Sequence, residues 1–358
     1  MYKAPFPYFG GKSTVADEVW QRIGADVTNY VEPFFGSGAV LLNRPDWTPD
    51  AMYTETVNDK SGFLSNFWRA VKEDPTKVAY YADNPVNEND LHARHAWLVQ
   101  QADELSAHLE GDPDYYDAKI AGWWLWGACC WIGSGWCSGN GPWQRVKLAS
   151  GWQLVHLGNK GRGVNRKRVH LGNKGQGVNR KLVHLGDKGQ GVNRQRVHLG
   201  DKGRGVDGIG ENGLYAWMEA LGERLRMVRV CCGDWSRVVG PSPTIKIGIT
   251  GVFLDPPYTA DANRVDGLYE QDCLSVGHDV AAWCKANEYN PMLRIALCGY
   301  AGEYDLPGWT CLEWKARGGF GSQGNGQGRE NANKERIWFS PHCLRTDELD
   351  DLPLFATT

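Results

Sequence analysis

Gly251-Val252-Phe253-Leu254-Asp255-Pro256-Pro257-Tyr258 is the stretch from which the fold can be read. Four apolar residues in a row make a short buried strand. The strand stops on a carboxylate, then on two prolines that fix φ and give up their backbone donors, and then on an aromatic ring. This leaves a stiff rim of acceptors beside a flat ring, placed where open α/β sheets bind ligands. Such a rim suits a planar base with an exocyclic amino group, offering acceptors for the amino protons and a ring for the base's face.

On either side of this strand the pattern alternates between helix and strand. Upstream, a helix is expected over Leu214–Arg224 and a strand over Met227–Cys232, ending in Gly233-Asp234. Downstream come a polar segment at 259–268, a helix near Asp272–Asn287 and strands at Arg294–Cys298, Trp309–Trp314 and Arg336–Phe339. Between the last two strands, Gly318–Gly328 carries six glycines and reads as a disordered loop.

The amino-terminal part repeats the same grammar. Pro5-Phe6-Pro7-Tyr8-Phe9-Gly10-Gly11-Lys12-Ser13 is an extended aromatic stretch leading into a helix near Thr14–Ile23. It lacks the upstream strand and the spacing of a phosphate-binding loop, which excludes a nucleotide triphosphatase. Asn29-Tyr30-Val31-Glu32-Pro33-Phe34-Phe35-Gly36-Ser37-Gly38-Ala39-Val40-Leu41-Leu42 parses as strand, glycine turn and apolar helix, with Glu32 before the turn. A second strand over Met52–Val57 ends in Asn58-Asp59, and an acid at that tip is where nucleoside-binding sheets grip ribose hydroxyls. A helix follows over Gly62–Asp74, and helical segments at Asn89–Glu110 and Asp114–Ile132 then interrupt the alternation.

Composition narrows the class. With 42% hydrophobic and 23% charged residues the 358-residue chain is expected to be globular and soluble. No long apolar span and no signal peptide are seen, so a cytoplasmic location is expected. The ten cysteines include no CxxC pair, which points to reduced, buried thiols rather than disulfides or a metal site. The net charge of −3 hides an asymmetry, because residues 151–210 hold 13 Lys and Arg against 3 Asp. A basic segment on an acidic body points to a polyanionic partner.

That basic segment is a tandem repeat. Val155-His156-Leu157-Gly158-Asn159-Lys160-Gly161-Arg162-Gly163-Val164-Asn165-Arg166-Lys167-Arg168 recurs from Val169, Val183 and Val197, giving four units of 14 residues. Each unit reads as two short strands around a glycine turn, which suits stacked hairpins or a small solenoid. As a recognition arm it would set Lys160, Arg162, Arg166, Lys174, Arg180, Lys188, Arg194, Lys202 and Arg204 against phosphates. The competing readings are a solvated linker and an oligomerisation element; charge, strand pattern and register favour the arm. Before the repeats lies a Gly- and Trp-rich loop whose Trp136 and Trp143 are candidates to wedge into or stack on bases, the other tryptophans capping a core.

Taken in order, Pro-Phe-x-Tyr-x-Gly-Gly-Lys (5–12), Glu-Pro-Phe-x-Gly-x-Gly (32–38), Asn-Asp (58–59), Gly-Asp (233–234) and Asp-Pro-Pro-Tyr (255–258) resemble the Dam-like, D12-class (alpha group) DNA N6-adenine methyltransferases. The likeness covers roughly residues 1–75 and 212–340. The repeats fall outside the common pattern, where that family carries its variable recognition region. The resemblance implies an α/β fold, a Rossmann-like methyltransferase sheet with helices on both faces. It divides the chain into a core of residues 1–88 and 211–345, a helical recognition insert at 89–150, the repeat arm at 151–210 and a tail at 346–358.

It also implies S-adenosylmethionine as cofactor and double-stranded DNA as partner. Tyr8, Lys12, Glu32, Pro33, Phe34, Gly36, Gly38, Asp59 and Asp234 would surround the cofactor, and Asp255, Pro256 and Tyr258 would act on a flipped-out adenine. Asp rather than Ser at position 255 leans towards adenine over cytosine N4, although either amino group fits the chemistry. An RNA substrate, or a nucleic-acid-binding relative that has lost transfer, are the remaining alternatives.

Overall fold

The computed structural model describes residues 2–8, 11–45, 47–131, 136–137, 143–148, 151–156, 213–257, 275–314 and 334–345. The strand that ends at Asp255 is β6 (Thr250–Leu254), buried along its whole length. Its side chains alternate between two separate cores, Phe253 entering one while Val252 and Leu254 enter the other. That alternation is what a strand covered on both faces requires.

Around it runs a seven-stranded sheet formed by β1 (Asn29–Glu32), β2 (Thr54–Asp59), β5 (Val228–Cys232), β6, β7 (Leu293–Tyr300), β8 (Thr310–Glu313) and β9 (Glu335–Phe339). The order across the sheet is β5-β2-β1-β6-β7-β9-β8. The first five of these strands are mutually parallel, while β9 runs antiparallel to both of its neighbours. The chain order reverses between β1 and β6, and the carboxyl ends of two such strands frame the crevice where open α/β sheets bind ligands. Asp255 follows β6 there, and the glycine turn follows β1.

Seven α-helices lie among the described residues, unequally shared between the faces. The larger core takes side chains from α1 (Ala16–Ile23), α2 (Gly62–Glu73), α3 (Pro75–Ala82), α4 (Glu88–Gly111), α5 (Ala118–Cys130) and α6 (Leu214–Leu225). The smaller core receives α7 (Val276–Asn287) through Val280 and Cys284. The helical region that the sequence sets apart as an insert therefore shares its core with the sheet. None of these helices is long and apolar enough to cross a membrane.

Three local expectations change. The apolar run after the glycine turn forms a single 3-10 turn at Leu41–Asn43 and no α-helix. Pro45 follows at once, and the Arg44 guanidinium is drawn inward to Glu55 at 3.1 Å and to the Val27 carbonyl at 2.6 Å. Helix α3, unanticipated, starts on Pro75 with the Asp74 side chain capping the Lys77 amide. A hairpin of β3 (Trp143–Leu148) and β4 (Gly151–His156) precedes the repeats. The Val155-His156 pair that begins the first repeat thus pairs with Gln144 and Trp143, outside the repeats. The rest of the repeats, the Gly318–Gly328 loop and the tail from 346 lie outside the described residues.

Candidate active site

Asn58 ties together the strand ends that frame the crevice. From the end of β2 its amide donates to the Pro33 carbonyl past β1 at 3.1 Å and to the Gly233 carbonyl past β5 at 3.0 Å. The glycine turn is held in the same way. Its Phe35 amide donates to the Asn58 carbonyl, and the buried Trp68 indole of α2 donates to the Gly36 carbonyl at 2.9 Å. Gly36 has φ +48, and a Cβ there would stand 2.6 Å from the Tyr8 ring. Only glycine allows the turn to bend under that ring.

Asp59 faces the turn. One carboxylate oxygen accepts the Gly36 amide and the other the Ser61 amide, both at 2.9 Å. Burial raises its pKa, and the amide hydrogen bonds oppose the rise, leaving it at about 6. A carboxylate offers about four acceptor sites, so room remains for a further donor such as a hydroxyl. Asp234 is exposed after β5 and accepts from the Ser236 amide and hydroxyl, and the Ser236 hydroxyl bond is the main reason its pKa is lowered. Phe34 stacks on Trp235, with centroids 6.2 Å apart and planes at 26°. Glu32 is different: it is 2% exposed and lies beneath the turn, accepting from the Tyr30 hydroxyl at 2.9 Å and from the Leu41 amide at 3.3 Å. Burial pushes its pKa well up despite both bonds.

Past β6 the buried Lys12 ammonium meets the Asp255 carboxylate at 2.7 Å. Their positions lie 243 residues apart in the chain, which makes this contact a product of the fold. Burial works against the lysine's charge, but the carboxylates of Asp255 and Glu335 outweigh it and raise its pKa. On its other side the ammonium stands 5.7 Å from the centroid of the Trp314 ring. Tyr300 lies in the same field, and burial with the nearby Glu335 pushes it up to about 12.

The structure therefore brings Tyr8, Pro33, Gly36 and Asp59 to one crevice and Lys12 to Asp255. Pro256 is buried directly after Asp255, whereas Tyr258 lies outside the described residues. So do Lys160, Arg162, Arg166, Lys174, Arg180, Lys188, Arg194, Lys202 and Arg204, and the Trp143 side chain. Trp136 does not stand out as an exposed wedge. Its indole packs against Gly127, where a side chain would collide with it, and donates to the Trp124 carbonyl at 3.0 Å. Sequence reading missed Glu335 and Trp314, which reach Lys12 from β9 and from the end of β8. A carboxylate and an indole in strands at the sheet's edge carry no motif that would single them out.

The acceptors suit a ligand that carries hydroxyl and amino groups, such as S-adenosylmethionine: a buried acid at the tip of β2, an exposed acid at the tip of β5, and a turn that only glycine can make. Residues 8–108 match the family model for D12 class N6 adenine-specific DNA methyltransferase. The matched stretch runs from Tyr8 through most of α4 and so includes Lys12, the glycine turn and Asp59, while Asp234 and Asp255 lie beyond it. No curated protein matches the chain.

Proposed function

With a D12-class amino-terminal segment as the premise, we propose that this protein methylates the N6 amino group of an adenine flipped out of duplex DNA. The reading is carried by the Lys12–Asp255 contact, which joins the segment matched by the family to the Asp-Pro-Pro-Tyr motif outside it. The cofactor, S-adenosylmethionine, would supply an already activated methyl group, so the protein's part is positioning and electrostatics. Asp59 would accept the ribose hydroxyls, Asp234 the adenine amino group of the cofactor, and the turn from Pro33 to Gly38 would run under its amino-acid end.

At the other side, Asp255 and the Pro256 carbonyl would accept the two N6 protons. This withdraws the nitrogen lone pair from the ring and makes it a better nucleophile. Tyr258 would stack on the extruded base. Lys12 now occupies the donor position on Asp255. When the base arrives its amino group takes that position, and Glu335 remains to compensate the ammonium. The basic repeats are proposed as an arm on the DNA backbone, joined to a core of residues 1–88 and 211–345.

The test is transfer of a labelled methyl group to duplex DNA, followed by nuclease digestion and mass spectrometry of the nucleosides. Label in N6-methyldeoxyadenosine, absent from Asp255→Ala, is the expected result. Label only at cytosine N4, or only with RNA, overturns the assignment. Removing residues 155–206 should weaken DNA affinity and flatten its salt dependence; unchanged binding would return the repeats to a linker or assembly role.

A further inference from the structure

We propose that Trp314 is a substrate-positioning residue whose indole N–H donates to a ring nitrogen of the extruded adenine. The inference rests on the reading above and extends it to a residue that no motif marks. Three observations meet at this side chain. Trp314 directly follows β8, and its backbone is pinned to the edge of the site through the Glu335 carbonyl. Its ring faces the Lys12 ammonium, which bridges it to Asp255. Its indole N–H is buried and has no hydrogen-bond partner among the described residues.

The third observation is out of character for this chain. Trp20, Trp68, Trp126, Trp136, Trp217 and Trp309 all spend their indole N–H, on a backbone carbonyl or, for Trp309, on Glu288. A buried donor without an acceptor is costly, and a phenylalanine would fill much of the same space without that cost. An indole left unpaired across the Lys12 ammonium from the proposed catalytic carboxylate is accounted for if its acceptor arrives with the substrate.

The chemistry of adenine supplies that acceptor. Its N6 amino group is flanked by N1 and N7, both carrying lone pairs in the plane of the base. With the amino group held on Asp255, one of the two is the proposed acceptor. Such a bond also discriminates, because an analogue lacking the nitrogen leaves the indole unpaired again.

The test pairs Trp314→Phe with duplexes in which the methylated adenine is replaced by 1-deaza- or 7-deazaadenine. Trp314→Phe should lose about tenfold in kcat/KM on adenine, the size of one net hydrogen bond. On one of the two analogues the native protein should lose a similar factor and the variant no more than the native protein. Cofactor affinity by calorimetry and the melting temperature should stay as they were. A variant that matches the native protein on adenine overturns the proposal, as does an equal loss on all three substrates, which would mean the ring only supports the fold. If the native protein methylates no adenine, the functional reading fails first and takes this inference with it.

Discussion

Two ion pairs are buried at opposite ends of the sheet, and they are built differently. At the amino end, Glu55 near the start of β2 is gripped by the Arg224 fork at 2.7 and 3.1 Å and by Arg44 at 3.1 Å. The guanidinium groups spend further donors on the Leu41 and Val27 carbonyls, Arg224 Nε having no partner among the described residues, and they pack against Trp47, Trp20 and Tyr53. At the carboxyl end, the Lys12 ammonium meets at 2.7 Å an Asp255 side chain that stays 23% exposed. The first arrangement is closed: planar forks fill the carboxylate's acceptor sites, so it can hold β2, α6 and the 3-10 turn together and do little else. The second is open. A flexible ammonium can yield its place on a part-exposed carboxylate to another donor, which is what a substrate site requires.

The largest effect that would break this contrast is on catalysis. Asp255→Ala should lower methyl transfer by at least about 10²–10³-fold, the scale seen when a charge-stabilising group is removed. Cofactor binding, followed by calorimetry, should stay nearly intact. Because Glu335 still compensates Lys12, this variant should also lose less stability than a change at the closed pair. Next comes that closed pair. Arg224→Ala leaves Glu55 buried with half its partners and should cost about 3–5 kcal/mol in denaturant unfolding. If the two variants unfolded alike, open and closed would be the wrong words for them.

How much of this was readable beforehand differs between the two ends. The strand into Asp255, the turn at Gly36 and Gly38 and the acid at Asp59 are written locally, in prolines, glycines and tip acids whose backbone requirements are strict. The closed pair is not, because Arg44, Glu55 and Arg224 follow no spacing; folding alone brings them together. The same long-range pull goes with the single 3-10 turn that stands where a helix was expected. Trp136 misled for a related reason: a tryptophan among glycines looks exposed until the vacancy over Gly127 is known to receive it. Trp314 and Glu335 stayed hidden because the antiparallel edge of the sheet carries them to Lys12 from the far end of the chain.

The proposed cofactor acid gives the next effect. Asp59→Ala should weaken cofactor binding about tenfold, as the loss of hydrogen bonds to a charged acceptor predicts. Native affinity should also fall as the pH drops through about 6, where Asp59 gains a proton, and Asp59→Asn should flatten that dependence. The effect on stability has the opposite sign. Its folded pKa lies above the ordinary carboxylate value, so the stability it contributes is complete below that ordinary value and is lost as the pH rises through about 6. Asp59→Asn should therefore bind cofactor more weakly at neutral pH without being less stable there. A variant that lost both would show that Asp59 serves mainly to hold the Gly36 turn.

The smallest expected effect lies away from both pairs, at His95 in α4. Its ring stacks on Trp131, with centroids 4.7 Å apart, and accepts from the Cys137 amide at 3.4 Å, while Nε2 is buried without a partner among the described residues. Burial, reinforced by His92, pulls its pKa down to about 4. The sign is now that of a base: an unfolded chain takes up the proton near its ordinary value of about 6.5, while the folded chain resists it. The stability that His95 contributes is therefore present above about 6.5 and is lost as the pH falls towards 4. Between about pH 7 and about pH 5.5 that amounts to roughly 1 kcal/mol, one unit of the window. His95→Phe keeps the stacking and removes the titration, so its denaturation curves at these two pH values should lie closer together than those of the native protein. An unchanged gap would mean that other groups set the acid sensitivity of the helical layer, and that His95 packs there as a ring whose nitrogens do not matter.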